Sequence, residues 1–187
     1  MKTVICLFVL ALTHLFSSTI PQYQISSTGD LSFFLTNSAE FHVLHKDRLV
    51  FQKWDIGDSI HLMSLNVGFY VSHPIRTQRN RLVLSPVLFV NNLTKNNEQI
   101  LVWLEQPPTG PQPGTFLISQ IDLNNHTITL SDSSIWLYPG NIQHKVQFWL
   151  VGDTVMIGLN NPISNTPTYG AILFNTSQLS IAQAIQQ

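Results

Sequence analysis

Six histidines lie beyond the N-terminal segment, and histidine is the side chain best suited to acid–base chemistry and metal binding near neutral pH. They are His42, His45, His61, His73, His126 and His144. His42 and His45 are three positions apart, and an odd separation on a strand places two side chains on opposite faces. The sequence contains no His-Glu-x-x-His, Cys-x-x-Cys, calcium-loop or phosphate-loop motif. We therefore expect neither a metal nor a cofactor.

Serines and carboxylates offer hydrolytic chemistry, but their spacing is not typical of a known enzyme class. No serine lies in Gly-x-Ser-x-Gly or Ser-x-x-Lys. A glycosidase needs two acids across one cleft, and the chain has only three glutamates. We predict no catalytic residues and a non-enzymatic protein. The enzymatic alternative requires a cleft lined by two or more of Asp122, Asp132, His126 and His144.

Two features suit binding instead of catalysis. Arg76, Arg79 and Arg81 form the one basic cluster, which fits either a phosphate or acidic glycan or a solvated hairpin tip. Trp103 is a candidate contact for a glycan or a protein if exposed, and a packing residue between structural units if buried. The partner is expected to be an unidentified protein or glycan, and no binding residue is assigned.

A sequence pattern occurs twice, 95 positions apart. Residues 54–60 read Trp-Asp-Ile-Gly-Asp-Ser-Ile, and residues 149–155 read Trp-Leu-Val-Gly-Asp-Thr-Val. Upstream, residues 35–38 align with 130–133 and Phe41 aligns with Trp136, without a gap. We interpret the pattern as two copies of one structural unit.

The shared Trp-x-x-Gly-Asp motif predicts a tight turn into a strand. The glycine supplies a positive φ, and the carboxylates of Asp58 and Asp153 are expected to accept hydrogen bonds from downstream backbone amides. Each tryptophan is expected to close one end of a small barrel, its indole N–H bonded at the sheet end. Because no second acid is expected beside either aspartate, we favour a structural role over catalysis. Residues 130–136 indicate a hairpin with Trp136 on its return strand.

The second copy resembles a pattern of uncharacterised secreted small β-domain proteins of bacteria: Asp-Gly-Ser-x-Trp, a dozen residues, then Trp-x-x-Gly-Asp-x-Val. The resemblance covers roughly residues 118–182 and, more faintly, 31–72. Ser133 stands where the pattern has glycine, and Phe41 where it has tryptophan. Residues 169–175 match a final Tyr-x-Leu-x-Asn element with two extra residues before Leu173. The resemblance implies a bacterial exported protein and carries no chemistry.

The N-terminus is typical of a secretory signal peptide. Lys2 precedes an apolar run at residues 4–12 and small residues at 17–19, so we expect cleavage near Thr19. The alternative is an uncleaved anchor. The apolar run is shorter than the roughly 20 residues of a membrane helix, and we expect no transmembrane segment in the mature chain. Localisation is expected to be periplasmic or extracellular.

The mature composition limits the function classes. Cys6 is the only cysteine and lies in the signal, so neither disulfides nor a cysteine nucleophile are expected. Without Lys2, eight basic residues stand against ten acidic ones, which disfavours a nucleic-acid ligand.

Three Asn-x-Ser/Thr sequons occur, at Asn92, Asn125 and Asn175. They support an alternative origin, namely a secreted or surface glycoprotein of a virus or eukaryote that carries N-glycans at these positions.

Short β-branched and aromatic runs between turn residues predict an all-β fold. The predicted strands are 31–35, 41–44, 59–63, 69–72, 81–90, 100–104, 115–121, 127–130, 135–138, 145–150, 154–159 and 171–174. No strand is predicted at residues 177–187, which are the only stretch where the sequence leaves a helix open. Four prolines at 107–113 exclude a strand there.

We therefore predict a signal peptide at 1–19, a β module at 20–106, a Pro-rich linker at 107–114 and a second β module at 115–187. Each module is expected to be a small antiparallel barrel or sandwich, and a long loop within one domain is the alternative to the linker. The predicted protein is exported and has a binding or structural role.

Overall fold

The computed structural model describes residues 20–64, 72–76, 82–109, 112–160 and 169–187, which are mostly strands. The strands are β1 Tyr23–Thr28, β2 Ser32–Leu35, β3 Glu40–Val43, β4 Ser59–Ser64, β5 Ser72–Arg76, β6 Leu82–Asn92, β7 Glu98–Gln106, β8 Thr115–Asp122, β9 Thr127–Leu130, β10 Ile135–Leu137, β11 Thr154–Leu159, β12 Ala171–Asn175 and β13 Ser180–Gln186. The one-turn helices α1 (Arg48–Phe51) and α2 (Gln143–Val146) each follow a 3₁₀ turn, His45–Asp47 and Gly140–Ile142. The all-β prediction is confirmed.

Six strands close into a barrel. β4 pairs with β1, β1 with β2, β2 with β3, β3 with β7, β7 with β6, and β6 returns to β4. All of these pairs are antiparallel. The core of this barrel holds an aromatic group in which the Phe33 ring lies 5.7 Å from Phe51 and 6.4 Å from Trp54. Because the ring is closed, each of these six strands pairs with a neighbour on both sides. Open strand edges can pair with another chain, so closure lowers the risk of aggregation.

The remaining strands lie outside this barrel. β5 extends β6 as an antiparallel partner. The others pair in a circuit of their own, β11–β8–β9–β10–β13–β12, which closes through β12 and β11. Side chains inside this circuit form a second hydrophobic cluster that includes Trp136, Val146 and Trp149.

The two closed sets of strands touch where β4 and β11 run parallel, with Met63 opposite Leu159. Gly158 permits this approach, because a Cβ there would lie 2.5 Å from the Leu62 carbonyl oxygen. Buried residues of the second set pack into the core of the first barrel: Met156, Ile172, Phe174 and Ile181. The core of the first barrel is therefore built from residues of both sets of strands.

A tyrosine joins the two sets of strands by hydrogen bonds. The Tyr23 hydroxyl accepts from the Ile157 N–H at 3.0 Å and lies 2.9 Å from the Ile157 carbonyl oxygen, to which it donates. Burial raises the pKa of the Tyr23 hydroxyl, so it stays protonated. A neutral hydroxyl is needed to donate and accept at once.

Two secondary-structure predictions are wrong. Residues 145–150 are not a strand: α2 ends at Val146 and a turn follows. Val146 and Trp149 are three residues apart and both buried, the spacing of one helical turn. Residues 177–187 are not helical, since 180–186 form β13. There Ala182 and Ala184 face one hydrophobic cluster and Ile181 the other, so burial on both faces hides the alternation of a strand.

Several other predictions match the described chain. The strands at 127–130 and 154–159 have the predicted bounds, and β9 and β10 form the predicted hairpin. No strand forms at 107–109 or 112–114. β1 was not predicted. The signal peptide at 1–19 and most of the strand predicted at 69–72 lie outside the described residues.

Candidate functional site

The two Trp-x-x-Gly-Asp segments form turns with the same geometry. We call residues 54–58 the first corner and residues 149–153 the second corner. Gly57 and Gly152 both have φ of 92°, a value that favours glycine. β4 and β11 begin directly after the corners. Because these two strands run parallel, both corners lie at the same end of the molecule.

The carboxylate of each motif aspartate accepts a backbone hydrogen bond within its own corner. Asp58 Oδ2 accepts the Asp55 backbone N–H at 3.0 Å, and Asp153 Oδ2 accepts that of Leu150 at 2.9 Å. The predicted direction is wrong: the amide lies three residues upstream, because the turn folds back over the carboxylate. Both aspartates are buried and serve the backbone, as the structural interpretation of the motif expects.

Each aspartate also holds a buried asparagine that belongs to a sequon. The Asn92 amide donates to Asp58 Oδ2 at 2.8 Å, and the Asn175 amide donates to Asp153 Oδ2 at the same distance. Both asparagines are 0% exposed. A glycan would replace one of the two hydrogens on the amide nitrogen and would need space that the core occupies. The third sequon asparagine, Asn125, is exposed in a turn.

The hydroxyl of each buried sequon completes the same corner. Thr94 Oγ1 accepts the Ser59 N–H at 3.0 Å, and Ser177 Oγ accepts the Thr154 N–H at 3.0 Å. These amides begin β4 and β11. Two of the three Asn-x-Ser/Thr matches are thus explained by hydrogen bonding within the fold.

The corner tryptophans are buried, and each indole N–H is bonded at the start of a strand. Trp54 donates to Glu98 Oε2 at 3.3 Å, and Trp149 donates to Ser180 Oγ at 2.6 Å. Glu98 begins β7 and Ser180 begins β13. The predicted placement of both indole groups is confirmed.

The outer surfaces of the corners differ. Phe148, directly before the second corner, is 67% exposed, and Leu150 and Val151 within it are 61% and 68% exposed. We call these three residues the second-corner tip. At the aligned positions the first corner has Lys53, Asp55 and Ile56. Only the isoleucine keeps the apolar character, and it is also exposed. The sequence analysis did not identify the tip. The signal was present, because Phe148 and Leu150 align with the charged residues Lys53 and Asp55 of the first copy.

Charges around the first corner are paired. Lys95 Nζ lies 2.6 Å from an Asp55 carboxylate oxygen, and Lys53 Nζ lies 3.5 Å from one of Glu98. The hydrogen bond to Asp55 is the largest of several carboxylate effects that raise the pKa of Lys95; Asp58 and Glu98 add to it. Asp55, Asp58 and Glu98 therefore all act on one ammonium group, and lysines offset their charge.

Of the four residues proposed for an enzyme cleft, three form hydrogen bonds within local turns, and His126 contacts a residue 17 positions away. The Asp122 carboxylate accepts hydrogen bonds from two backbone N–H groups and from the side-chain amide of Asn125. These bonds lower the pKa of Asp122, and the bond from the Asn125 backbone has the largest effect. His126 Nε2 lies 3.3 Å from Gln143 Oε1. Asp132 accepts from Ser134, and His144 Nδ1 lies 3.0 Å from a backbone oxygen.

Two surface cavities of the described chain have volumes of about 420 and 390 Å³. The larger is lined by serines, Thr36, Phe34, Leu35 and Gln106. The smaller contains Asp132, beside Trp136 and Gln186, and is lined by none of the other three cleft candidates. Neither cavity brings together an acid and a histidine.

The binding candidates from sequence are placed as follows. Trp103 is 8% exposed and its ring stacks on His42 at 4.4 Å, so its face is not offered to a ligand. His45 lies in a 3₁₀ turn instead of on the strand of His42. The arginine cluster lies outside the described residues, apart from the backbone of Arg76 at the end of β5.

Within the described ranges, no group of three or more His, Cys, Asp or Glu side chains is arranged to hold a metal ion. The described helices are all too short to cross a bilayer. Comparison with protein-family models, with curated proteins and with solved structures found no match to this chain.

Proposed function

We propose that this chain is an exported, non-enzymatic β protein that acts by binding or as a structural component in the bacterial envelope or the extracellular space. A signal peptide at residues 1–19 directs it there. Two tandem modules of related sequence, 20–106 and 115–187, follow from a duplication and are joined by the Pro-rich segment 107–114. The resemblance to secreted bacterial β-domain proteins supports the bacterial origin.

The matching corners support the duplication. Aspartate, asparagine, hydroxyl and indole groups make corresponding contacts in both halves. Independent strands would have no reason to share four such contacts around the same turn. The shared core across β4 and β11 favours modules that act as one rigid body.

The second-corner tip is the observation that carries the binding role. Three apolar side chains project from a turn whose backbone is fixed by Asp153, Asn175 and Trp149. Exposed apolar groups held away from the core are typical of interaction sites. The proposed surface is therefore the end of the molecule that carries both corners.

The experiment is a fractionation of cells of the producing organism. We expect a mature N-terminus near residue 20 and protein in the envelope or outside the cell. A triple variant with Phe148, Leu150 and Val151 changed to serine should lose its association with the envelope or with its partner. Leu84→Ser, at a side chain 62% exposed on β6, is the matched control and should behave as wild type. Retention of the leader in the cytoplasm would contradict export.

The glycoprotein alternative is disfavoured at two of its three positions, because Asn92 and Asn175 are buried. Intact-mass analysis of the natively produced protein tests it. We expect no added hexose; glycans at Asn92 and Asn175 on folded protein would contradict both the proposed origin and the corner geometry.

A further inference from the structure

The second-corner tip is not a requirement of the fold. Lys53 and Asp55 occupy the positions of Phe148 and Leu150 in the first corner, and that corner keeps the same glycine φ and the same aspartate bonds. The first corner is thus an internal control for the second. Since the turn forms with charged side chains at these positions, its geometry does not require the apolar pair of the second copy.

The tip is also braced against collapse into the core. The Leu150 N–H is bonded to the Asp153 carboxylate, and the Gly152 N–H donates to the Ile118 carbonyl oxygen at 2.8 Å. Trp149, between Phe148 and Leu150, points inward and is 3% exposed. Successive side chains therefore alternate between exposed and buried: the Trp149 indole is in the core, and those of Phe148 and Leu150 on either side are at the surface.

Size and shape distinguish the possible occupants. The three side chains, each about two-thirds exposed, offer on the order of 300 Å² of apolar surface. A stable protein interface buries roughly 800 Å² on each partner. A small convex tip on a turn falls short of that area, whereas it suits insertion among lipid headgroups, where apolar groups enter by about 5–10 Å.

The local charge is compatible with a lipid surface. Residues 139–151 contain no carboxylate, and their ionisable side chains are His144 and Lys145. Anionic headgroups attract basic residues beside an inserted apolar group and repel acids. The acids of the first corner are accompanied by Lys53 and Lys95, so the shared end of the molecule is not strongly acidic.

From these observations we infer that the second-corner tip inserts into the headgroup region of a lipid bilayer and anchors the protein peripherally. This inference rests on the proposed binding function and names the partner as a lipid surface. Phe148, Leu150 and Val151 enter the interface, and the charged groups of the first corner remain at the water boundary.

The test is flotation of purified residues 20–187 with vesicles of phosphatidylethanolamine and phosphatidylglycerol. Wild-type protein and Leu84→Ser should float with the vesicles. The triple serine variant should partition roughly tenfold less or worse, because three apolar side chains are lost from the interface. Urea unfolding midpoints near wild type exclude misfolding as the cause, and Phe148→Leu, which keeps the apolar character, should retain most of the binding.

Three results would overturn the inference: wild-type protein that stays with the dense fraction, equal flotation of the triple variant, or a dimer in light scattering that the triple variant dissolves. If envelope association in cells depends on the tip while vesicles are not bound, the partner is a protein or a glycan instead of a lipid surface. In that case the proposed function stands and the lipid inference fails. If envelope association in cells does not depend on the tip and the vesicles are not bound either, the proposed function fails together with the lipid inference.

Discussion

Asp153 and Asn175 form a buried pair in which the asparagine amide donates to the aspartate carboxylate at 2.8 Å. The same carboxylate oxygen accepts the Leu150 N–H. Truncation of Asp153 to alanine leaves both donors unpaired, and each unsatisfied buried group costs about 1–3 kcal/mol. We expect Asp153→Ala to lower the free energy of unfolding by about 2–6 kcal/mol in urea titration. Asp132→Ala, at an exposed turn, is the control; an equal loss there would contradict the special role of the pair.

The three sequons provide a matched series for one substitution. Asn92→Ala and Asn175→Ala each remove a buried donor, and we expect each to cost about 1–3 kcal/mol of stability. Asn125 is exposed, and Asn125→Ala should change stability by only about 0.5 kcal/mol. Chemical denaturation measures the free energy of unfolding of the three variants. Equal losses at all three positions would contradict the prediction that burial determines how much each asparagine stabilises the fold.

The contact between β4 and β11 depends on a glycine. A Cβ at Gly158 would meet the Leu62 carbonyl oxygen at 2.5 Å, whereas one at Gly170 would meet nothing within 4 Å. We expect Gly158→Ala to destabilise the protein by about 1–3 kcal/mol, since backbone must move to admit the methyl group, and Gly170→Ala to be nearly neutral. Thermal unfolding measures both. Indifference to Gly158→Ala would mean that the two sets of strands are not in close contact.

Acid should destabilise the protein in part through His61, which lies in β4. Burial lowers the pKa of His61 below its ordinary value of 6.5, so the folded state favours the neutral ring. The stabilising contribution is complete above pH 6.5 and is lost as the pH falls towards the folded-state pKa. His61→Gln should therefore show a smaller loss of unfolding free energy between pH 7.5 and pH 5 than wild type. An unchanged pH profile in the variant would contradict this assignment.

The local parts of the fold could be predicted because their causes are local. Glycine at a positive φ, a hairpin at 131–134 and β-branched strands such as Thr154–Leu159 follow from a few adjacent residues. The asparagine partners of Asp58 and Asp153 could not be found in the same way, because Asn92 and Asn175 lie 34 and 22 positions away. Their identity depends on which strands become neighbours.

Strands buried on both faces were the other difficulty. In β13 the small residues Ala182 and Ala184 are as important as Ile181, since both hydrophobic clusters draw on this strand. Alternation fails there, so the sequence left a helix open at residues 177–187, although its large apolar side chains are too sparse to support one. The tip was overlooked for a different reason: its apolar residues look like core residues in the sequence, and only their exposure separates Leu150 from Val146.

An exchange of the corner surfaces is the most direct test of the central claim, that the second corner combines a structural turn with a separate apolar contact surface. Phe148→Lys together with Leu150→Asp gives the second corner the side chains found at Lys53 and Asp55. We expect the double variant to unfold within about 1 kcal/mol of wild type, while its partition to phosphatidylglycerol-containing vesicles falls roughly tenfold or more. A large loss of stability with unchanged partition would contradict the claim, because the tip would then belong to the fold and not to the surface that binds.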